Sequence, residues 1–329
     1  MMKLGLHKLS AAVMLTSALS VSLAPAPAAA QKPSFDTASM LVGFAAGGGT
    51  DVTTRTVASQ VSQDNPGLAV TVLNRPGAGG IVAQQSLLTA PKDGSTIMLT
   101  SVGPLTVLPH LQKVGFDVQK DFTPITMAVN FPNIFVVPAS LGVKTFEEFV
   151  QYAKKNPGKV NYGSSGIGAA SHMAGELLNQ RAGIDMQHIP YKGGAPAMND
   201  LIAGRIDAYF GVPSSVKPHI DSGALIALAS SGVERSKSYP NVPALGEIYP
   251  GFNATNWYAF IGPSGMTPEM TKWWNEAIVK ALKNPDVQTR MANVGLDIET
   301  STPEELAKAI NTESQTWAAI IKERGIKLD

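Results

Sequence analysis

Along the chain, short runs of apolar and β-branched residues alternate with stretches whose apolar positions recur at helical spacing. This alternation is the order expected of α/β layers built on a largely parallel sheet. Met40–Phe44 reads as a strand, Ala45–Gly49 as a glycine loop, and Thr50–Asp64 as a helix. Val57, Ala58 and Val61 form that helix's apolar stripe, and Pro66-Gly67 ends it. Ala69–Leu73 reads as a second strand. Asn74–Gly80 then opens a helix to about Thr89, and Thr96–Thr100 makes a third strand, followed by Ser101-Val102-Gly103-Pro104.

The same grammar restarts downstream. Thr145 and Glu148 have capping-box spacing for a helix that carries Lys154 and Lys155 in its last turn and stops at Pro157-Gly158. A strand over Val160–Tyr162, the loop Gly163–Gly168 and a helix bearing Met173, Leu177 and Leu178 follow, and Gly183 ends that helix. His188–Tyr191 reads as a strand. Lys192-Gly193-Gly194-Ala195 turns into a helix with Pro196 near its start and Gly204 after its end, and Ile206–Phe210 is the next strand. Two helices close the chain: one starts at Thr267-Pro268 and carries Trp273, Trp274, Ala277 and Ile278, and one is capped by Thr302 with Glu305. Their apolar stripes are expected to pack back onto a domain.

Residues 1–30 differ in kind. Lys3 and Lys8 precede the apolar stretch Leu9–Leu23, and Ala28-Ala29-Ala30 offers a cleavage site before Gln31. That is the layout of a secretory signal peptide, too short and too interrupted by Pro25 and Pro27 to read as a membrane anchor. Its removal takes away two lysines and no acid, leaving 24 basic against 25 acidic residues, a net charge of −1. With 44% hydrophobic and 16% charged positions and so balanced a charge, a compact globular protein is expected, with no nucleic-acid partner. The absence of cysteine removes disulfides, thiolate chemistry and an acylated anchor from consideration. A soluble periplasmic protein acting as a monomer, without stable membrane insertion once the signal is removed, is the expectation.

Catalytic patterns are thin. No G-x-S-x-G or H-E-x-x-H occurs, and Ser171 and His172 are helix neighbours that point apart. Neither a metal nor a cofactor is expected. The glycine loop before Thr50-Asp51 and the serine loop at Ser164-Ser165 instead combine bare backbone N–H groups, hydroxyls and helix starts, which suit an anion; tight-turn packing is the rival reading of the glycines. Asp51 would repel a bare anion unless water or an ammonium group intervenes.

In order along the mature chain, the segments Leu41–Asp51, Asn74–Gly80, Asp93-Gly94, Tyr162–Gly166, His172 with Ala174–Leu177, His188–Gly193 and Asn241-Val242-Pro243 resemble the receptors of tripartite tricarboxylate transporters, the Bug family. The resemblance implies a type II periplasmic-binding-protein fold: two α/β domains, joined by two crossing segments, around a ligand cleft. Domain one would comprise 31–129 plus 254–329, and domain two 130–253. It implies a non-enzymatic receptor that hands a small organic carboxylate to membrane transporter subunits. By position, Phe44, Ala46, Gly47, Gly48, Asp51, Ser164, Ser165 and Ala169 or Ala170 would bind the carboxylate, with Asp51 organising water or the loop. Phe131, Asn133, Gly211, Asn256 and Trp257 are candidates for the distal pocket. Gly43 stands where the family pattern usually has proline. Gly211 stands where it often has an acid, which argues against a ligand bearing an amino group. The rival readings are a receptor that presents its ligand to a sensor kinase and an exported hydrolase using a serine near Ser164.

Overall fold

The computed structural model describes residues 1–2 and 33–327. The expected signal peptide and its cleavage site after Ala30 lie outside the described residues, save Met1 and Met2. Eleven strands form two sheets among the described residues. The first contains β1 (Thr37–Val42), β2 (Ala69–Asn74), β3 (Thr96–Ser101), β4 (Phe122–Pro132), β10 (Thr255–Pro263) and β11 (Asp297–Ile298), in the order β11-β4-β10-β3-β1-β2. The second contains β5 (Ile134–Pro138), β6 (Val160–Ser164), β7 (Met186–Pro190), β8 (Ala208–Gly211) and β9 (Leu225–Ser230), in the order β7-β6-β8-β5-β9.

Both sheets are mixed rather than largely parallel. β1 pairs in parallel with β2 and β3, and β6 with β7 and β8. β10 lies antiparallel between β3 and β4, and β5 lies antiparallel between β8 and β9. The parallel pairs need helical crossovers; β10 returns from the second sheet by a connection whose one short helix, Leu245–Ile248, is not a crossover within a sheet, so it can enter the first sheet in the opposite sense. The chain passes between sheets at Asn133, between β4 and β5, and again in the stretch from β9 to β10.

Period-two burial explains why β10 can sit at the centre. Tyr258 and Phe260 join the core formed with Val57, Ile97, Trp274 and Ile278 on one face. Trp257, Ala259 and Ile261 join Leu41, Met98 and Leu306 on the other. The second sheet is covered in the same way, by Phe135, Phe149, Tyr162 and Leu178 on one side and Ile134, Leu201 and Val216 on the other.

Helix ends follow local chemistry. Thr145 with Glu148, and Thr302 with Glu305, each close a reciprocal capping box, and the Thr267 hydroxyl accepts from the N–H of Met270. The last helix, Pro303–Arg324, does more than pack on one domain. Leu306 and Ile310 near its start lie in the core of the first sheet, whereas Trp317 and Ile321 near its end lie in the core of the second. Between them, Glu313 accepts hydrogen bonds from the indoles of Trp257 (2.5 Å) and Trp317 (3.2 Å). Burial raises the Glu313 pKa, against the lowering effect of those two bonds. Among the described residues no helix is long and apolar enough to cross a membrane.

Candidate functional site

β1 ends at Val42, two residues earlier than its apolar run suggests, because the chain must turn at Gly43. A Cβ there would stand 2.8 Å from the Cα of Gly80, so the loop passes against bare backbone. Gly47 holds a left-handed φ of +81°, and Gly48 caps the helix Gly49–Asp64 with no side chain. Asp51, in that helix's first turn, faces the loop rather than the cleft. Its carboxylate accepts from the Gly47 N–H (2.9 Å), Arg55 Nε (3.0 Å) and Asn74 Nδ2 (2.9 Å). Burial pulls its pKa up, but the bonds from Arg55, Gly47 and Asn74 outweigh it and hold the carboxyl below its ordinary value. Asn74 also donates to the Phe44 carbonyl, which fixes the loop at a second point.

The second loop, after β6, is tied by side chains. Ser164 is fully buried; its hydroxyl lies 2.6 Å from His188 Nε2, donates to the Gly166 carbonyl and accepts from the Gly166 N–H. Ser171 and His172, adjacent in the helix Ala170–Ala182, do work together, though not as a nucleophile and base. Ser171 Oγ accepts the Ser165 N–H, and His172 Nδ1 accepts the Gly168 N–H. Behind the loop the two imidazoles stack with centroids 4.0 Å apart, and Tyr162 stacks on His188 at 5.1 Å. Burial, aided by the neighbouring His188, drives the His172 pKa down to about 3, and burial alone drives that of His188 to about 4. Both rings are neutral at pH 7.

Where the two sheets meet, a cleft of about 30 Å³ is lined by the starts of four helices. Gly48, Gly49 and Thr50 begin the first, and Ala169 and Ala170 begin the second. Gly194 begins the helix Gly194–Ile202, and Val212 and Ser215 belong to the start of the helix Pro213–Asp221. Phe44, Ser101, Ser165, Tyr209, Asn256 and Tyr258 complete the wall. Among these fourteen residues there is no acid, no base and no histidine. Four helix N-termini converging on one point supply unpaired N–H donors and a positive potential without a cation, which suits an anion.

Of the residues expected at the carboxylate, Phe44, Gly48, Ser165, Ala169 and Ala170 line this cleft. Ala46 and Gly47 are exposed beside it, and Asp51 and Ser164 stand behind it as supports. Of the distal candidates, Asn256 lines the cleft, and its Nδ2 lies 3.5 Å from Asn133 Oδ1. Phe131, Gly211 and Trp257 are placed elsewhere. Phe131 meets the ring of Tyr258 edge-on at 5.0 Å, Gly211 is packed under Val216 and Tyr209, and Trp257 projects from the opposite face of β10 toward Glu313. Sequence reasoning did not count Gly49, Thr50, Ser101, Gly194, Tyr209, Val212 or Ser215 among the site residues. The available signal was the strand-loop-helix grammar, which recurs at Pro190–Pro196 and Gly211–Ser215 as well as in the two loops that were singled out.

Three close backbone approaches draw the lobes together. The Ala45 N–H donates to the Lys192 carbonyl at 3.3 Å. A Cβ at Gly79 would stand 2.7 Å from the Ile167 carbonyl oxygen, and one at Gly103 would stand 2.5 Å from that of Gly168. Among the described residues no group of acids and histidines is placed to hold a metal ion.

A family model for the tripartite tricarboxylate transporter family receptor matches residues 53–326. The chain belongs to that family. It is 34% identical over 292 residues to protein BugT of Bordetella pertussis, covering 88% of this chain and 89% of that protein. The solved structure of the periplasmic binding protein BugD is 31% identical, with a TM-score of 0.85 over 88% of this chain and 98% of that one. MatC of Rhodopseudomonas palustris, solved with bound malate, is 26% identical, with a TM-score of 0.82 over 87% of this chain and 98% of that one. This Bug-type receptor therefore has the two-lobed periplasmic-binding-protein fold and is a solute-binding protein rather than an enzyme. The buried Ser164 hydroxyl, in contact with His188 and bonded to Gly166, holds the loop after β6.

Proposed function

We propose that this receptor, freed of residues 1–30 after Ala30, captures a small organic carboxylate in the periplasm as a monomer and passes it to the membrane subunits of a tripartite tricarboxylate-type transporter. The observation that carries the reading is the convergence of four helix N-termini on one uncharged cleft. The bound malate of MatC supports the same ligand class. A cleft of about 30 Å³ holds only about one or two waters, so a solute of malate's size enters by parting of the lobes. Residues 31–129 with 254–329 would move against 130–253, flexing at the two crossings and where the end of the last helix packs on the second core. The carboxylate would lie between Phe44, Gly48 and Ser165 at the helix starts, with Asn256 toward the far end.

Thermal-shift screening of the mature protein against mono-, di-, tri- and aromatic carboxylates tests the ligand class. A rise in Tm with at least one of them, together with a smaller radius of gyration in solution scattering, is expected. No shift with any carboxylate sinks the reading. Intact-mass measurement of periplasmic material should give a chain starting at Gln31.

A further inference from the structure

The four helix starts bring N–H donors to the cleft, and two side chains whose rings pack in the two cores bring their hydroxyls to the same place. Tyr209, on β8 of the second sheet, is 1% exposed, and Tyr258, on β10 of the first, is 3% exposed. Among the described residues neither hydroxyl is hydrogen-bonded to a protein group, and both residues line the cleft. Each is aimed at a helix start: a Cβ on Gly194 would stand 2.9 Å from the Tyr209 hydroxyl, and a Cβ on Gly49 would stand 2.7 Å from that of Tyr258. A phenol that lines a cleft and has no protein partner is left free to donate to an acceptor that enters. Burial raises both phenols' pKa values, so each remains a neutral O–H donor across the physiological range.

We infer that Tyr209 and Tyr258, one from each lobe, are specificity-determining donors that read a second acceptor oxygen on the solute, so that the receptor prefers a hydroxy- or oxo-carboxylate to its unsubstituted and amino counterparts. The inference rests on the carboxylate reading above and names which carboxylates fit. The chemistry of the wall supports it. Thr50, Ser101, Ser165 and Ser215 add hydroxyls and the helix starts add N–H groups, but no carboxylate is present to pair with an ammonium group. Donors from both sheets on one solute would also tie recognition to closure, because an open cleft separates them.

Calorimetric titration of the mature protein with two matched series, propionate, lactate and alanine, and succinate, malate and aspartate, tests it. In a series that binds, the hydroxy member should bind wild type at least about tenfold more tightly than the amino member and severalfold more tightly than the unsubstituted one. Tyr209→Phe and Tyr258→Phe should each weaken the hydroxy member about tenfold while changing the unsubstituted member less than threefold. Gly194→Ala, whose added methyl displaces the Tyr209 hydroxyl without touching its ring, should reproduce the Tyr209→Phe pattern. Equal loss for hydroxy and unsubstituted members would make the tyrosines structural and overturn the inference while leaving the carboxylate receptor standing. Unchanged affinities in the tyrosine variants, or tightest binding of alanine or aspartate, would overturn it in the same way. Failure of all six probes to bind would count against the carboxylate reading and the inference together.

Discussion

At Gly49 the geometry leaves no room for even one methyl group. A Cβ there would lie 2.7 Å from the Tyr258 hydroxyl and 2.8 Å from Val212 Cγ1, across the cleft. Gly48, the more conspicuous position in the triple-glycine run, would meet only the Ala45 carbonyl oxygen, at an ordinary 3.5 Å. Gly49→Ala should therefore leave the helix intact, since alanine is the better helix former, yet weaken solute binding at least about tenfold by propping the lobes apart. Calorimetric titration beside circular dichroism checks both halves. At Asp51 the expectation is the reverse: a loss of stability first. Asp51→Ala leaves the Gly47 N–H without its acceptor and removes one of the two bonds the Asn74 amide donates, and should cost about 1–3 kcal/mol in urea unfolding at pH 7. Because the Asp51 pKa is held below its unfolded value, its contribution is present above about pH 4 and is lost as pH falls through the folded pKa. A variant as stable as wild type at pH 7 would show that the carboxylate organises nothing.

Among the elements, the helix Ala170–Ala182 has its start backed by two buried imidazoles. His172 and His188 have folded pKa values of about 3 and about 4, below the roughly 6.5 of the unfolded chain. The unfolded state therefore takes up protons that the folded state refuses. Stability is complete above about pH 6.5 and declines as pH falls toward 4, by about 2–3 kcal/mol between pH 7 and pH 5.5 for the two rings together. Glu176, 3.9 Å from His172 Nε2, is held by the Tyr162 hydroxyl. Urea midpoints at the two pH values measure the decline, and a His172→Gln, His188→Gln double variant should flatten it. Much at this scale was legible beforehand. Both capping boxes and the glycine ends at Gly183 and Gly325 depend on local chemistry, and the first three and the repeat of strand, loop and helix were readable from spacing alone. The antiparallel placement of β10 was not, because the side-chain period of a buried strand is the same in either direction. Nor was the separation of Trp257 from Asn256 and Tyr258. Alternation puts them on opposite faces, but which face meets the cleft depends on the partner strands.

For the whole molecule, the last helix matters most to how the lobes share their stability. Trp317 is buried in the second lobe's core on a helix that begins in the first. Trp317→Ala should cost about 3–5 kcal/mol and split a single calorimetric transition into two as the lobes lose their common brace. A single transition at lower temperature would show that other contacts couple the lobes. The family was readable from motifs in sequence order. The four-helix convergence was not, since the glycine and proline patterns at two of its starts, Gly194 and Pro213, mark only helix starts and become part of a site only when the fold brings them beside the first loop.

The hydrogen bond from the Ala45 N–H to the Lys192 carbonyl has a consequence of another kind. Both of its atoms belong to the main chain, so the latch is indifferent to nearly every substitution at either position; at residue 45 only proline removes the donor. Cleft side chains such as Tyr209 and Asn256 can therefore be exchanged without loosening this fastener. Retargeting the receptor to another solute and keeping it able to shut are, to that extent, separate engineering problems.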